Sequence, residues 1–312
     1  MKVGLKNSKG SRYPAVVIKF SIDANTRGFF SLFIESVRAI DYAFANNCTF
    51  KIDWTNNCYY SNSEKFEGNK NAWEYFLKNS ETPKSLEVLN SNHLSIHSKK
   101  IWSTSHFRWL HTRVISKLVF QKAVRTNLDL IISKIQTEIA LGVHIRRTDH
   151  GQEIEMVELN QIIKIVKKNF IKGNFKKVFI STDDELALQK VIQAIGIENC
   201  IYNDVCRSNS GEPIHKNKSN NNGYLLGLEA LADVTSLSAC RKVLLCNSNF
   251  SYAVMLFNPN IKFKVLRKEK SILRWLIFKT YLIRYVFFIK HLKYLLETKF
   301  FKRVSCLSNG NI

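Results

Sequence analysis

The stretch LGVHIRRTDH, residues 141–150, sets Arg146 and Arg147 side by side at the end of an apolar run, with His144 before them and Asp149 after. Adjacent guanidiniums repel, so the pair needs an anion or a carboxylate. An arginine presents a planar fork of N–H donors that fits phosphate oxygens two at a time. On a strand, alternate residues share a face. Ile139, Leu141, Val143 and Ile145 then face one way, and Gly142, His144 and Arg146 the other. Arg147 points oppositely or lies in the turn. A face of glycine, histidine and arginine suits a ligand crevice better than a packed core; a structural Arg–Asp pair at a strand end is the alternative. Asp149 is placed to restrain one guanidinium, and Arg147 is expected to pair with Asp149 or Asp183.

Two further polar stretches follow strand-like runs. KKVFISTDDE (176–185) ends in Asp183 and Asp184, which either cap the next helix, contact a nucleotide, or form a paired-aspartate metal site; capping with nucleotide-side contacts is favoured. VLLCNSNFSYAVMLF (243–257) is a strand, a turn and a helix start. Backbone N–H groups at a helix N-terminus bind anions, and Asn247, Ser248, Asn249 and Ser251 add side-chain donors, although an ordinary cap has the same look. Arginines at one strand end and a helix N-terminus at another are suited to embrace one diphosphate.

The elements that must position these residues are read from apolar periodicity. A strand over 14–22, a glycine turn over 26–30, a helix over 31–47 and a strand over 48–54 form a βαβ unit. Residues 55–105 are polar and carry no readable motif; residues 107–137 read as helical. Strands over 138–145, 176–181, 199–203 and 242–246 alternate with helices over 159–173, 184–196, 224–239 and 251–257. Alternation of this kind predicts an α/β fold with parallel sheets covered on both faces, and ligands at the carboxyl ends of the strands.

GVHIRRTD (142–149), VFISTDD (178–184) and EALADVTSLSACRKVLLCNSNFSYAV (229–254) together resemble the fucosyltransferase superfamily that shares a His-x-Arg-Arg-x-Asp motif, in the form found in α1,6-fucosyltransferases and the related nodulation enzymes. Their order and spacing agree over about residues 138–257, and residues 28–54 match more weakly. The resemblance implies a GT-B architecture of two Rossmann-like lobes with parallel sheets. It implies an acceptor-side lobe over 1–135, a nucleotide-sugar-binding lobe over 136–265, and transfer of L-fucose from GDP-β-L-fucose to a glycan hydroxyl with inversion, without a metal or other cofactor. On this reading Arg146 binds the donor β-phosphate and is the catalytic arginine. His144 lies near the guanine, and Asp233 accepts its N–H groups. Ser248 and its neighbours form the phosphate turn, with Arg147 and Asp183 on the donor side. Gly28 lies in the loop that closes over the diphosphate. Glu153 and Glu155 stand near the offset of the family's general base. His150 departs from the pattern, because the α1,6 enzymes carry lysine there, and this leaves the linkage open between α1,6, α1,2 and α1,3.

Composition sets the remaining bounds. The chain has 312 residues, 45% of them hydrophobic, enough for one large α/β domain or two lobes with cores of their own. Seven cysteines without a CxxC pair and an N-terminus without an apolar core predict a reducing, cytoplasmic setting and no signal peptide. Charge is concentrated at the end: residues 262–303 hold thirteen Lys or Arg against Glu269 and Glu297, a net +11 of the chain's +22. Within 266–312 aromatic and basic residues alternate too closely for a membrane span, which needs ~20 mainly apolar residues. The tail therefore reads as a basic amphipathic helix attached to the cytoplasmic face of the membrane, near a glycan or lipid-linked acceptor of surface polysaccharide synthesis, with a helix packed on the lobes as the alternative. Three rival functions fit the same composition: transfer from another nucleotide sugar, a non-catalytic glycan-binding lobe, and nucleic-acid binding, for which no RNA-binding signature is present.

Overall fold

A computed structural model describes residues 16–25, 27–55, 58–62, 70–80, 85–90, 105–148, 156–212 and 222–267. Asp149, His150, Glu153, Glu155 and the tail beyond Arg267 lie outside the described residues.

The first sheet is built from β1 (Val16–Asp23), β2 (Thr49–Thr55) and β3 (Ser85–Asn90), all parallel, in the order β2-β1-β3. Helix α1 (Phe29–Ala45) crosses from β1 to β2 and is buried around most of its circumference, because α3 (Ser105–Ile115) and a C-terminal helix described below pack on the side the sheet leaves open. The stretch 55–105, polar in sequence, nonetheless supplies β3 and the one-turn helix α2 (Trp73–Phe76), whose Trp73, Tyr75 and Phe76 are among the largest fully buried side chains. The aromatics are too few to show a period, yet each is large enough to fill core by itself. The long helix expected over 107–137 is two helices, α3 and α4 (Lys122–Gln136), broken across residues 116–121.

The second sheet contains β4 (Ala140–Ile145), β5 (Lys177–Thr182), β6 (Cys200–Ile201), β7 (Lys242–Leu245) and β8 (Lys262–Val265), all parallel, in the order β6-β5-β4-β7-β8. α5 (Leu159–Lys172) and α6 (Glu185–Ile195) cover one face, packing on Leu141, Val143 and Ile145. α7 (Gly223–Ala239) and α8 (Asn249–Phe257) cover the other, and their core runs on into the first sheet. The arrangement is the expected α/β fold with two parallel sheets, each backed by helices. Edge strand β8 was not anticipated: its Lys262 and Lys264 belong to the basic run, and only Phe263 and Val265 carry the strand pattern.

The crevice expected along the Gly142–His144–Arg146 face is not open at Gly142. A Cβ there would stand 2.8 Å from Val243 Cγ1 and 2.9 Å from Leu237 Cδ2. The glycine exists so that α7 and β7 can close on the central strand. Only the end of the face, at Arg146, is half-exposed.

A candidate anion site at the strand ends

Parallel pairing brings the ends of β4, β5 and β7 to one edge of the sheet, where a parallel α/β sheet places its ligands. His144 is 4% exposed and stacked on Phe250, ring centroids 4.2 Å apart at 26°. Its Nδ1 lies 2.8 Å from Ser251 Oγ and 3.2 Å from Cys246 Sγ. Burial pushes the Cys246 thiol up to about 11, so it stays neutral and shares a proton with the ring or with Ser251. Ser248 caps α8: its Oγ accepts from the Ser251 N–H at 3.1 Å and its hydroxyl donates to Ser251 Oγ at 3.2 Å. His144 thus pins the first turn of α8 against the end of β4. Asn247 and Asn249 flank the cap, half-buried, and their side chains make no hydrogen bond among the described residues.

The turn after β4 is held by the aspartates. Asp183 Oδ1 accepts from the Arg147 N–H at 2.8 Å, and its Oδ2 accepts from the Thr148 hydroxyl at 2.6 Å. The Arg147 guanidinium turns away, 3.8 Å from Asp184 and 3.4 Å from the Val157 carbonyl. The expected Arg147–Asp183 pairing is therefore made by backbone, and Asp184 takes the ion pair while capping α6 through the Leu186 and Ala187 N–H groups. Arg147 and Asp183 support the turn from which Arg146 projects.

Arg146 directly follows β4 and is half-exposed. Its charge acts on Tyr60 as well as on Cys246, opposing in each the upward push of burial. The Tyr60 hydroxyl accepts from the Phe29 N–H at 2.7 Å, at the first residue of α1, directly after Gly28. Phe30 of the same turn meets Phe250 edge-on at 5.2 Å. The N-termini of α1 and α8 therefore converge, and the Arg146 charge reaches Tyr60 beside the first and Cys246 before the second. Gly28 is extended at φ −73°, a conformation open to any residue, and a Cβ added to it would meet nothing within 4 Å. The glycine leaves space at the α1 terminus rather than serving a turn. Two buried contacts hold α7 and α8 in place: a Cβ on Gly223 would strike the backbone of Tyr60 at 2.6 Å, and His111 of α3, kept neutral by burial with a pKa near about 3, sits 2.7 Å from the Tyr252 hydroxyl.

Asp233 lies one strand away on α7, 6% exposed. It accepts from the Ser181 hydroxyl and from Asn203 Nδ2, each at 2.8 Å, and burial lifts its pKa to about 6. Arg207 braces this corner through the Asn203 carbonyl at 2.7 Å, and its buried Nε has no hydrogen-bond partner among the described residues. No sequence pattern marks Tyr60, Phe250, Asn203 or Arg207 as site residues. Tyr60 and Arg207 fall in polar stretches without periodicity, and Phe250 reads as a core residue.

No protein-family model matches the sequence, and no curated protein matches it. Solved structures are similar in fold. Fucosyltransferase NodZ from Bradyrhizobium is 15% identical with a TM-score of 0.47, over 82% of this chain and 96% of that one. A NodZ α1,6-fucosyltransferase soaked with GDP-fucose is 17% identical with a TM-score of 0.48, over 78% and 93%. POFUT1 in complex with GDP-fucose is 10% identical with a TM-score of 0.49, over 81% and 98%.

Proposed function

We propose that this chain is an inverting glycosyltransferase that moves L-fucose from GDP-β-L-fucose to a hydroxyl of a glycan. The observation that carries the reading is the convergence of two helix N-termini, those of α1 and α8, with Arg146 at the end of β4. Each terminus carries roughly half a positive charge, and α8 adds the N–H groups of its first turn at Asn249 and Phe250. With the guanidinium they suit a diphosphate, and the motif around Arg146 resembles that of enzymes using this donor. In the reaction the acceptor oxygen attacks fucose C1, the C1–O bond to the β-phosphate breaks, and the electron pair leaves on GDP. The acceptor proton passes to a carboxylate, for which Glu153 and Glu155 are the sequence candidates. Charge grows on the β-phosphate in the transition state, and Arg146 and the α8 terminus stabilise it there, so positioned donors do the work of a metal or other cofactor. Asp233 and His144 form the base side of the site. Residues 1–135 serve as the acceptor lobe, residues 136–265 as the donor lobe, and the tail from 266 attaches the protein peripherally to the cytoplasmic face of the membrane, close to a lipid-linked or polysaccharide acceptor. The test is a hydrolysis and transfer screen across GDP- and UDP-sugars with wild type and Arg146→Ala. The reading expects GDP-fucose turnover that the substitution abolishes without unfolding. Turnover of another sugar, or near-normal activity of the variant, overturns it.

A further inference from the structure

We infer that the exposed face of α5, together with edge strand β8, is a docking surface for an anionic lipid bilayer. Helix α5 buries Leu159, Ile162 and Val166 against the sheet and has no acidic residue within its span. Lys164, Lys168 and Lys172 repeat every fourth residue on the exposed side, one above the other. The same side leans toward β8, because Gln161 donates to the Arg267 carbonyl and Asn169 accepts from Lys242 at the start of β7. On β8 the two-residue period sorts the side chains. Phe263 and Val265 pack into the core shared with α7 and α8, whereas Leu266 packs into the core under α5. Lys262 and Lys264, in phase with Leu266, therefore point to the α5 side and are exposed. The result is one basic surface made by two elements, with Ile171 standing 76% exposed among its lysines and Glu158 as the acid at its far end.

Charge alone suits either a membrane or a nucleic acid, and three features favour the membrane. The face sets the exposed Ile171 among its lysines, an apolar side chain that can enter a bilayer interface beneath the charges. Among the described residues it presents no exposed aromatic ring for bases to stack on. The chain also leaves the described structure at Arg267, on this face, and continues into residues 268–303, which hold ten Lys or Arg against two acids among many aromatic and aliphatic residues. A globular surface and a following segment of like character fit one partner. Lysines on a β-edge also discourage edge pairing, which accounts for Lys262 and Lys264 but not for the row on α5.

The inference does not rest on fucosyl transfer. It is tested on the full chain by co-sedimentation with vesicles of phosphatidylcholine containing one-third phosphatidylglycerol, comparing wild type with Lys164→Gln/Lys168→Gln/Lys172→Gln. Each lysine near an anionic surface contributes roughly fivefold, so affinity for these vesicles falls on the order of 100-fold. Binding to pure phosphatidylcholine, thermal stability and any donor turnover in solution stay as in wild type. Unchanged binding to anionic vesicles overturns the proposal, and so does an RNA oligonucleotide that binds this face more tightly than the vesicles and displaces them. Donor turnover is read in the same samples, so an enzyme inactive on every sugar with intact lipid binding refutes the catalytic reading alone.

Discussion

Tyr60→Phe removes one oxygen and leaves the ring in place. The edge contacts of the ring with Phe29, at 5.1 Å, and with Trp54, at 6.4 Å, persist. What is lost is the acceptor, at 2.7 Å, for the Phe29 N–H. The first four N–H groups of a helix have no partner within the helix, and Phe29 is 3% exposed, so no solvent replaces the phenol. Leaving a buried donor unsatisfied costs about 1–3 kcal/mol. Urea unfolding should show a free energy lower by that amount with an unchanged slope, since the surface exposed on unfolding is nearly the same in variant and wild type. Because Phe29 adjoins Gly28 and Phe30 meets Phe250, loosening this turn weakens one of the two helix termini at the proposed diphosphate site. A helix-terminus dipole contributes about 0.3–1 kcal/mol to a nearby anion, so GDP affinity should fall about two- to fivefold. Both are read from one purified variant by urea titration and calorimetry. An unfolding free energy within about 0.5 kcal/mol of wild type would refute the claim that Tyr60 holds the start of α1.

Asp183→Ala frees three donors of the turn behind Arg146; stability should fall by about 1–3 kcal/mol and donor turnover at least tenfold, with Asp183→Asn between, and unchanged turnover would mean the turn holds itself. Burial raises Asp233 from 3.8 to about 6, so folding favours its protonated form; its stabilising contribution is full below about pH 4 and is lost as pH rises through about 6. Asp233→Asn should flatten that part of the urea stability profile, and, because the carboxylate is the form that accepts from a base, wild-type GDP affinity should drop as pH falls below about 6. Gly28→Ala, whose Cβ meets nothing, should leave the melting temperature unchanged but lower GDP affinity by filling space at the α1 terminus. Gly142→Ala, whose Cβ is driven into Val243 and Leu237, should instead cost about 1–3 kcal/mol of stability with the site intact.

The second sheet is legible in the sequence because parallel strands buried on both faces are continuous apolar runs and their helices are amphipathic. Leu141, Val143 and Ile145 announce β4, and Ile162 and Val166 announce the buried side of α5. The turn after β4 is legible for the same reason: Arg146, Arg147 and Asp183 are charges set at the ends of apolar strands. Other features leave no pattern in the sequence, and three show why. Gly142 reads as ligand-facing because alternation reports which residues share a face, not what covers it. β3 and α2 are hidden in a polar stretch, and in α2 isolated aromatics do the packing. Tyr60 becomes visible only when the start of α7, at Gly223, presses on the 59–61 backbone and aims that segment at α1. Pattern reveals elements, whereas a contact between two sheets depends on how they meet.

The affinities of wild type and Arg146→Ala for GDP and for GMP, by calorimetry in one buffer, decide whether the strand ends hold a diphosphate. If Arg146 and the two helix termini hold the diphosphate, wild type prefers GDP. A charge-assisted hydrogen bond of about 1.5–3 kcal/mol makes the loss in the variant about 10- to 100-fold for GDP, with GMP binding almost unchanged. Equal losses for both nucleotides, or none for either, would contradict the assignment of the strand ends as a diphosphate site.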